Sequence, residues 1–339
     1  MSPELVTLGG LTVDNIVAAD GTVALDQAGG NGAYAAVGAL AWVNRVGLVS
    51  CAVSSYPRPV IAQLDAAGID LEGVVWSDAK LSAGSWFLYD MEGHRDEGLT
   101  APSGALAEAG FPTDRLTPVE VEKWRGLLQA RDVTGEVGYS EFREHYPLSA
   151  GQVPSAWLCG KGVHLAPSAP SVILDMLSLF RSRVAVITAD PGWQLVEAGI
   201  EAISPILSLL DAFLPSEVEL RELLPGVGVA EGLALLAARC PGAVAVKMGP
   251  EGSMVWDRAK KSAVKVPACK VETRDPTGAG DSFSGGFLAG LVETNDPVKA
   301  ACFGTVSAAR VVSTFGAAGA LPADRDAART ILQREYKLW

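Results

Sequence analysis

From about residue 160 onward, strand-length apolar runs alternate with helix-length segments. This pattern constrains the fold more than any other feature of the chain. Gly162–Leu165, 184–188, 212–214 and 243–248 read as strands; 171–182, 195–210 (broken at Pro205), 216–224 and 232–238 read as helices. Short continuous apolar runs suit strands buried on both faces, and strands joined by helices specify a mostly parallel, doubly wound α/β sheet. The N-terminal part fits the same scheme. Leu5–Leu8, Val46–Val53 and Val74–Ser77 read as strands, 33–43 as a small-residue helix, and 59–67 as a helix closed by Gly68. A hairpin over 253–256 and Ser262–Val266 and helices over 281–293, 297–314 and 324–335 complete the body.

Two extended stretches break the alternation. Residues 11–28, with a turn at Asp20-Gly21, and 82–98, with a turn at Glu92-Gly93, carry no intervening helix. They predict a small β-sheet, discontinuous in sequence, that lies over one edge of the body as a lid. The division is then 1–10, 29–81 and 99–339 for the body, and 11–28 and 82–98 for the lid. Residues 100–155 are less regular, with a helical stretch over 118–129 and a polar segment over 132–145.

Composition excludes several function classes. Net charge is −12, from 27 basic and 39 acidic residues, which disfavours a nucleic-acid binder. The longest nearly uninterrupted apolar run, 32–43, is far short of the ~20 residues of a membrane span. Met1-Ser2-Pro3-Glu4 has no basic region, and the five cysteines are scattered without metal spacing. A cytoplasmic protein with free thiols is expected.

The chemistry concentrates in Asp275-Pro276-Thr277-Gly278-Ala279-Gly280-Asp281-Ser282-Phe283. Two glycines immediately before a helix let backbone amides approach a ligand, and the helix N-terminus adds partial positive charge. Together they form an anion hole suited to a phosphoryl group. Asp281 would repel such an anion, unless its carboxylate takes the proton of a hydroxyl that attacks the phosphorus. The plain alternative is an Asp in a capping turn. Asp190, at a strand end, either orders a metal ion or its waters or opens an Asp-Pro-Gly turn. No Gly-x-x-x-x-Gly-Lys-Ser/Thr loop occurs. Gly30-x-Gly32-x-x-Ala35 matches a dinucleotide fingerprint, but no acidic residue follows at the required distance. His94-Arg95-Asp96 imitates a protein-kinase triplet without its Asn or Asp-Phe-Gly partners; it reads as a solvated hairpin, or as His94 or Arg95 reaching substrate from the lid.

In this context the sequence resembles the ribokinase-like (PfkB) family of carbohydrate and nucleoside kinases. Asp275 to Phe287 resembles its C-terminal signature, and Gly29-Gly30-Asn31-Gly32-Ala33-Tyr34-Ala35-Ala36 its N-terminal one. Leu5 to Gly10 with Asp14, Lys247-Met248-Gly249-Pro250-Glu251-Gly252 and Phe315-Gly316-Ala317 follow in the family's order. The resemblance implies a ribokinase-like α/β body with a β-lid, and ATP-dependent phosphorylation of a sugar or polyol hydroxyl. It assigns Asp281 as general base, and Gly278, Ala279 and Gly280 as the anion hole. Asp14, Gly29, Gly30 and Asn31 bind substrate alongside Asp281. Lys247, Gly249, Gly252, Thr277 and Gly316 lie on the ATP side. Glu219 serves Mg²⁺. Asp275 serves a K⁺ site with the Thr277 carbonyl and carbonyls near Val311, Thr314 and Gly316.

Four departures stand out. Ser216 replaces the Asn of the family's Asn-x-x-Glu, Tyr34 stands where ribose- and fructose-type members carry Asn, Asn31 stands where ribokinases carry Lys, and Ala320 replaces a hydroxyl ligand of the K⁺ site. A nucleoside kinase, with Tyr34, Trp86 and Phe87 as a stacking wall, and a catalytically silent sensor are the alternatives. Related lids pair between subunits, so a homodimer through the lid is expected.

Overall fold

The computed structural model describes residues 2–18, 20, 22–54, 56–81, 85–89, 95–96, 119, 135–322 and 324–338. Its strands in chain order are β1 (Leu5–Leu8), β2 (Thr12–Val17), β3 (Val23–Gly29), β4 (Val46–Val53), β5 (Ile69–Asp70), β6 (Val74–Ser77), β7 (Lys80–Leu81), β8 (Ser85–Tyr89), β9 (Arg95–Asp96), β10 (Glu136–Val137), β11 (Gly162–Leu165), β12 (Val186–Ala189), β13 (Ala212–Phe213), β14 (Ala243–Lys247), β15 (Ser253–Asp257) and β16 (Ser262–Val266). Ten of them form the body sheet, in the order β16-β15-β14-β13-β12-β11-β1-β4-β5, with β6 also on β4. Every pairing from β14 through β1 to β6 is parallel; β15 and β16 add an antiparallel edge.

Helices cover both faces because the strands are apolar on both. In β14 the side-chain alternation sends Ala243 and Ala245 into one core and Val244 and Val246 into the other. The first core packs against helices Asn31–Leu40, Ala279–Thr294 and Pro297–Val312. The second packs against Pro170–Phe180, Ile200–Leu207, Glu217–Leu223 and Val229–Arg239. Helices Asn31–Leu40 and Ala279–Thr294 are built largely from small residues. At Gly38 and Gly285 a Cβ would strike the partner helix's backbone, so these glycines set how closely the two helices approach.

A separate four-stranded sheet runs β3-β2-β8-β9 and joins the two extended stretches. β2 pairs antiparallel with β3 and parallel with β8. The expected turn at Glu92-Gly93, the reach of His94, the side chain of Trp86 and, apart from residue 119, the helix over 118–129 lie outside the described residues. Two local expectations are corrected. The polar segment ends in a helix, Tyr139–His145. The stretch over 195–210 breaks at Gly199, not Pro205: Gly199 takes φ +82° between helices Gly192–Ala198 and Ile200–Leu207. Pro205 lies inside the second helix, which is short enough that a missing N–H costs one bond.

Candidate active site

The order of β11, β1 and β4 reverses the direction of winding at β1, and open α/β sheets place ligands at the carboxyl ends of strands beside such a switch. Gly9-Gly10 follows β1, Ala166-Pro167 follows β11, Asp190 follows β12, Ser216 lies just past β13, and Lys247 ends β14. The Asn31 carboxamide ties two of these ends together. Its Oδ1 accepts from the Gly10 amide at 2.6 Å, and its Nδ2 donates to the Pro167 carbonyl at 3.2 Å. The Gly10 carbonyl in turn accepts from the amides of Gly32 and Ala33. The start of helix Asn31–Leu40 is therefore closed by backbone, which removes the dinucleotide reading of its glycines.

The start of helix Ala279–Thr294 is built differently. Gly278 holds φ +72° at its N-cap, and a side chain there would run into the Tyr34 ring. The Ala279 amide turns back to the Pro276 carbonyl at 3.2 Å. As in any helix, the amides of the first turn lack intrahelical partners and point out of the helix end. Asp281 sits in that turn. Beneath it, Asp275 is buried. Its Oδ1 accepts from the Thr277 amide at 2.9 Å and its Oδ2 from the Gly316 amide at 3.4 Å. Burial raises its pKa against the pull of Thr277 and Gly316, and no ion pair to it appears among the described residues.

Across the cleft, β2 carries Asp14, buried, with the Thr12 hydroxyl donating to it at 2.9 Å. Any side chain at Gly29 would overlap the Asp14 carboxylate, so this glycine allows β3 to pass over it. Three tyrosines lie close to these carboxylates or to the glycine turn. Tyr34 is buried with its hydroxyl lacking a hydrogen-bond partner. Burial, then Asp14, Asp275, Tyr89 and Asp281, push its pKa well above the usual value. Tyr139 lies over Gly10; burial raises its pKa against the opposing Arg143, and Asp14 and Asp281 raise it further. Both phenols stay protonated. Tyr89, from β8, shares a 2.7 Å hydrogen bond with the Thr277 hydroxyl, so the small sheet touches the glycine turn.

On the β12–β14 side, Lys247 Nζ donates to Asp190 Oδ1, and the Ser284 hydroxyl donates to Asp190 Oδ2 at 2.7 Å. Glu219 is drawn into its own helix start. Its Oε2 accepts from the Ser216 amide at 2.6 Å and hydroxyl at 2.8 Å, its Oε1 from the Gly192 amide at 3.1 Å, and Ser216 Oγ accepts from the Glu219 amide. Ser216-x-x-Glu219 is thus a capping box, which explains a serine at this position. Among the described residues no group of three or more His, Cys, Asp or Glu gathers to hold a metal ion.

These contacts bring Asp14, Gly29, Gly30, Asn31, Thr277, Gly278, Ala279, Gly280, Asp281, Asp275 and Gly316 into one region of the molecule, with Lys247 beside Gly280 and Glu219 near Lys247. Gly249 and Gly252 lie on the turn leaving β14, where the Gly252 carbonyl accepts from the Met248 amide. Sequence reasoning missed Tyr89 and Tyr139. Neither sits in a local motif, and only the fold brings them to the cleft.

The family model for the pfkB family of carbohydrate kinases matches residues 155–324, which contain the whole glycine turn and its helix. The chain belongs to the pfkB family. A cytidine kinase of Thermococcus kodakarensis is 22% identical over 92% of this chain and 97% of its own length. A ribokinase of Lactococcus lactis subsp. lactis is 29% identical over 40% of this chain and 43% of its own. Among solved structures, a ribokinase II from E. coli in complex with ATP and Mg²⁺ superposes with a TM-score of 0.68 at 20% identity, covering 98% of this chain and 100% of that one. The fold is ribokinase-like, and as a pfkB member the protein is a phosphotransferase. No helix among the described residues is long and apolar enough to cross a membrane.

Proposed function

We propose that the protein transfers the γ-phosphoryl group of ATP to a hydroxyl of a small sugar, polyol or nucleoside. The observation that carries this reading is the helix start at Gly278–Asp281, with Tyr34 packed against Gly278 and close to both Asp14 and Asp281. In this mechanism Asp14 accepts hydrogen bonds from substrate hydroxyls and holds the reacting one toward Asp281. Asp281 takes its proton as the oxygen attacks. The Gly278 and Gly280 amides stabilise charge on the phosphoryl group, while the Ala279 amide holds the turn through Pro276; such transfer asks mainly for positioning and electrostatics. Gly249 and Gly252 border the nucleotide, and Gly316 closes its far side.

When bound, Mg²⁺ would supply charge neutralisation. Glu219, whose carboxylate accepts from the Ser216 and Gly192 amides, would order the ion's waters rather than ligate it directly. Asp275, buried and bonded to the Thr277 and Gly316 amides and to the Thr277 side chain, has the donor chemistry for a monovalent cation. In this reading the small sheet acts as the lid.

One observation favours a nucleoside over a plain sugar. Tyr34 packs its ring against Gly278, Tyr89 bonds the Thr277 hydroxyl, and the Tyr139 hydroxyl reaches Gly10. Such walls suit a planar base. The test is ATP turnover by the purified protein, with Mg²⁺ and K⁺, against ribose, fructose, polyols, cytidine and inosine. Cytidine or inosine leading in kcat/KM supports the nucleoside form, and ribose or fructose leading supports the sugar form. Turnover with none of them overturns the kinase reading and leaves a sensor.

A further inference from the structure

A deeply buried charge cluster of the body has no part in the mechanism so far. Asp190 is 1% exposed and lies just past β12. Its Oδ1 takes Lys247 Nζ and its Oδ2 takes the Ser284 hydroxyl, one helical turn beyond Gly280. Ser284 Oγ also lies 3.5 Å from Lys247 Nζ and 3.1 Å from the Gly280 carbonyl. Behind Asp190 sits His164, fully buried, with Nδ1 on the Thr188 hydroxyl at 2.9 Å and Nε2 3.7 Å from Asp190 without a hydrogen-bond partner. Burial and the Lys247 ammonium hold its pKa down at about 3, so it is a neutral wall and adds no second positive charge.

The ammonium is held off-centre with purpose. A Cβ placed on Gly280 would lie 3.6 Å from Lys247 Nζ, so the cation stands beside the open start of helix Ala279–Thr294. Burial alone would neutralise the lysine; Asp190, with Glu219 and Asp281 around it, outweighs burial and keeps it charged. An anion docked on the first-turn amides would meet a preformed ammonium whose position is already fixed by Asp190 and Ser284. Fixed charge of this kind needs no reorganisation when the reaction occurs.

We propose that Lys247 contacts the phosphoryl group in transfer, and that Asp190 is the positioning residue that aims it; this rests on the kinase reading above. The ammonium leaves one hydrogen bond of the cluster for a phosphoryl oxygen while Asp190 and Ser284 keep its stem in place. Lysine serves such sites as a point charge. Asp190 does not touch the nucleotide, and its effect passes through Lys247.

The test is calorimetric titration of ATP and ADP, each with Mg²⁺, into the full chain and three variants: Lys247→Met, Asp190→Asn and the double variant. Lys247→Met is expected to weaken ATP by ~10-fold or more, with ADP changed by ~2-fold or less, because the charge-assisted bond goes to the terminal group. Asp190→Asn shifts the ATP-to-ADP ratio the same way by a smaller factor, and adds nothing once Lys247 is Met. A single variant leaves one buried charge alone; the double variant is neutral at both and carries the test if a single variant does not fold. Equal weakening of ATP and ADP, an unchanged ratio, or an Asp190→Asn effect of the same size in both backgrounds overturns the proposal. A wild-type chain that binds neither nucleotide overturns the kinase reading with it.

Discussion

Gly278 leaves no room for another residue. Its φ of +72° and the Tyr34 ring against its Cα both exclude a Cβ. Gly278→Ala should cost ~1–3 kcal/mol of strain, seen as a lower denaturation midpoint, and should lower phosphoryl transfer by more than the stability loss explains. Unchanged transfer would mean the turn does not hold the phosphoryl group. Ser216 was legible in another sense. Ser-x-x-Glu is a helix-start signal in its own right, and reading the position only against a family Asn hid the capping box. Ser216→Ala should cost ~1 kcal/mol in urea unfolding, and Ser216→Asn should stay near wild type, since both Ser and Asn cap well. The Lys247–Asp190 pair was not legible. The two residues are 57 positions apart, and the pairing exists only because β12 and β14 end on the same side of the sheet.

Among the elements, the body strands and their helices were readable because buried parallel strands are continuous apolar runs. The helix Tyr139–His145 was not. It is short and polar, and its stability comes from Phe142, buried in the core, and Tyr139 over Gly10. The break at Gly199 was missed because proline is the louder signal, yet a positive φ ends a helix more firmly than a proline within a short one. The small sheet was legible as two extended stretches, but its contact with the body was not. That contact includes Tyr89 on Thr277 at 2.7 Å. Tyr89→Phe should raise the acceptor's KM by several-fold while the melting temperature moves little, since loss of one hydrogen bond is worth only ~1 kcal/mol. A change confined to melting temperature would make Tyr89 a packing residue alone.

His164 contributes one part of the pH response of the whole molecule. Its pKa is about 3 in the fold against 6.5 as the ordinary value. Below pH 6.5 the unfolded chain takes up a proton that the folded chain refuses, so stability is full above that pH and falls as pH drops toward 3. Between pH 6.5 and 5 this one group should remove about 2 kcal/mol, and His164→Gln should flatten that part of the curve in denaturant titrations. Parallel curves would show that His164 titrates normally. The expected homodimer through the lid is checked by light scattering at micromolar concentration, where a monomer contradicts it. The central claim is that Asp281 takes the proton of the attacking hydroxyl. The direct measurement is kcat for Asp281→Asn with the acceptor that the wild type turns over, beside ATP affinity and melting temperature in the same variant. The account predicts a fall in kcat of ~10²–10⁴ with melting temperature held and ATP binding kept or tightened. Near-wild-type kcat would contradict it.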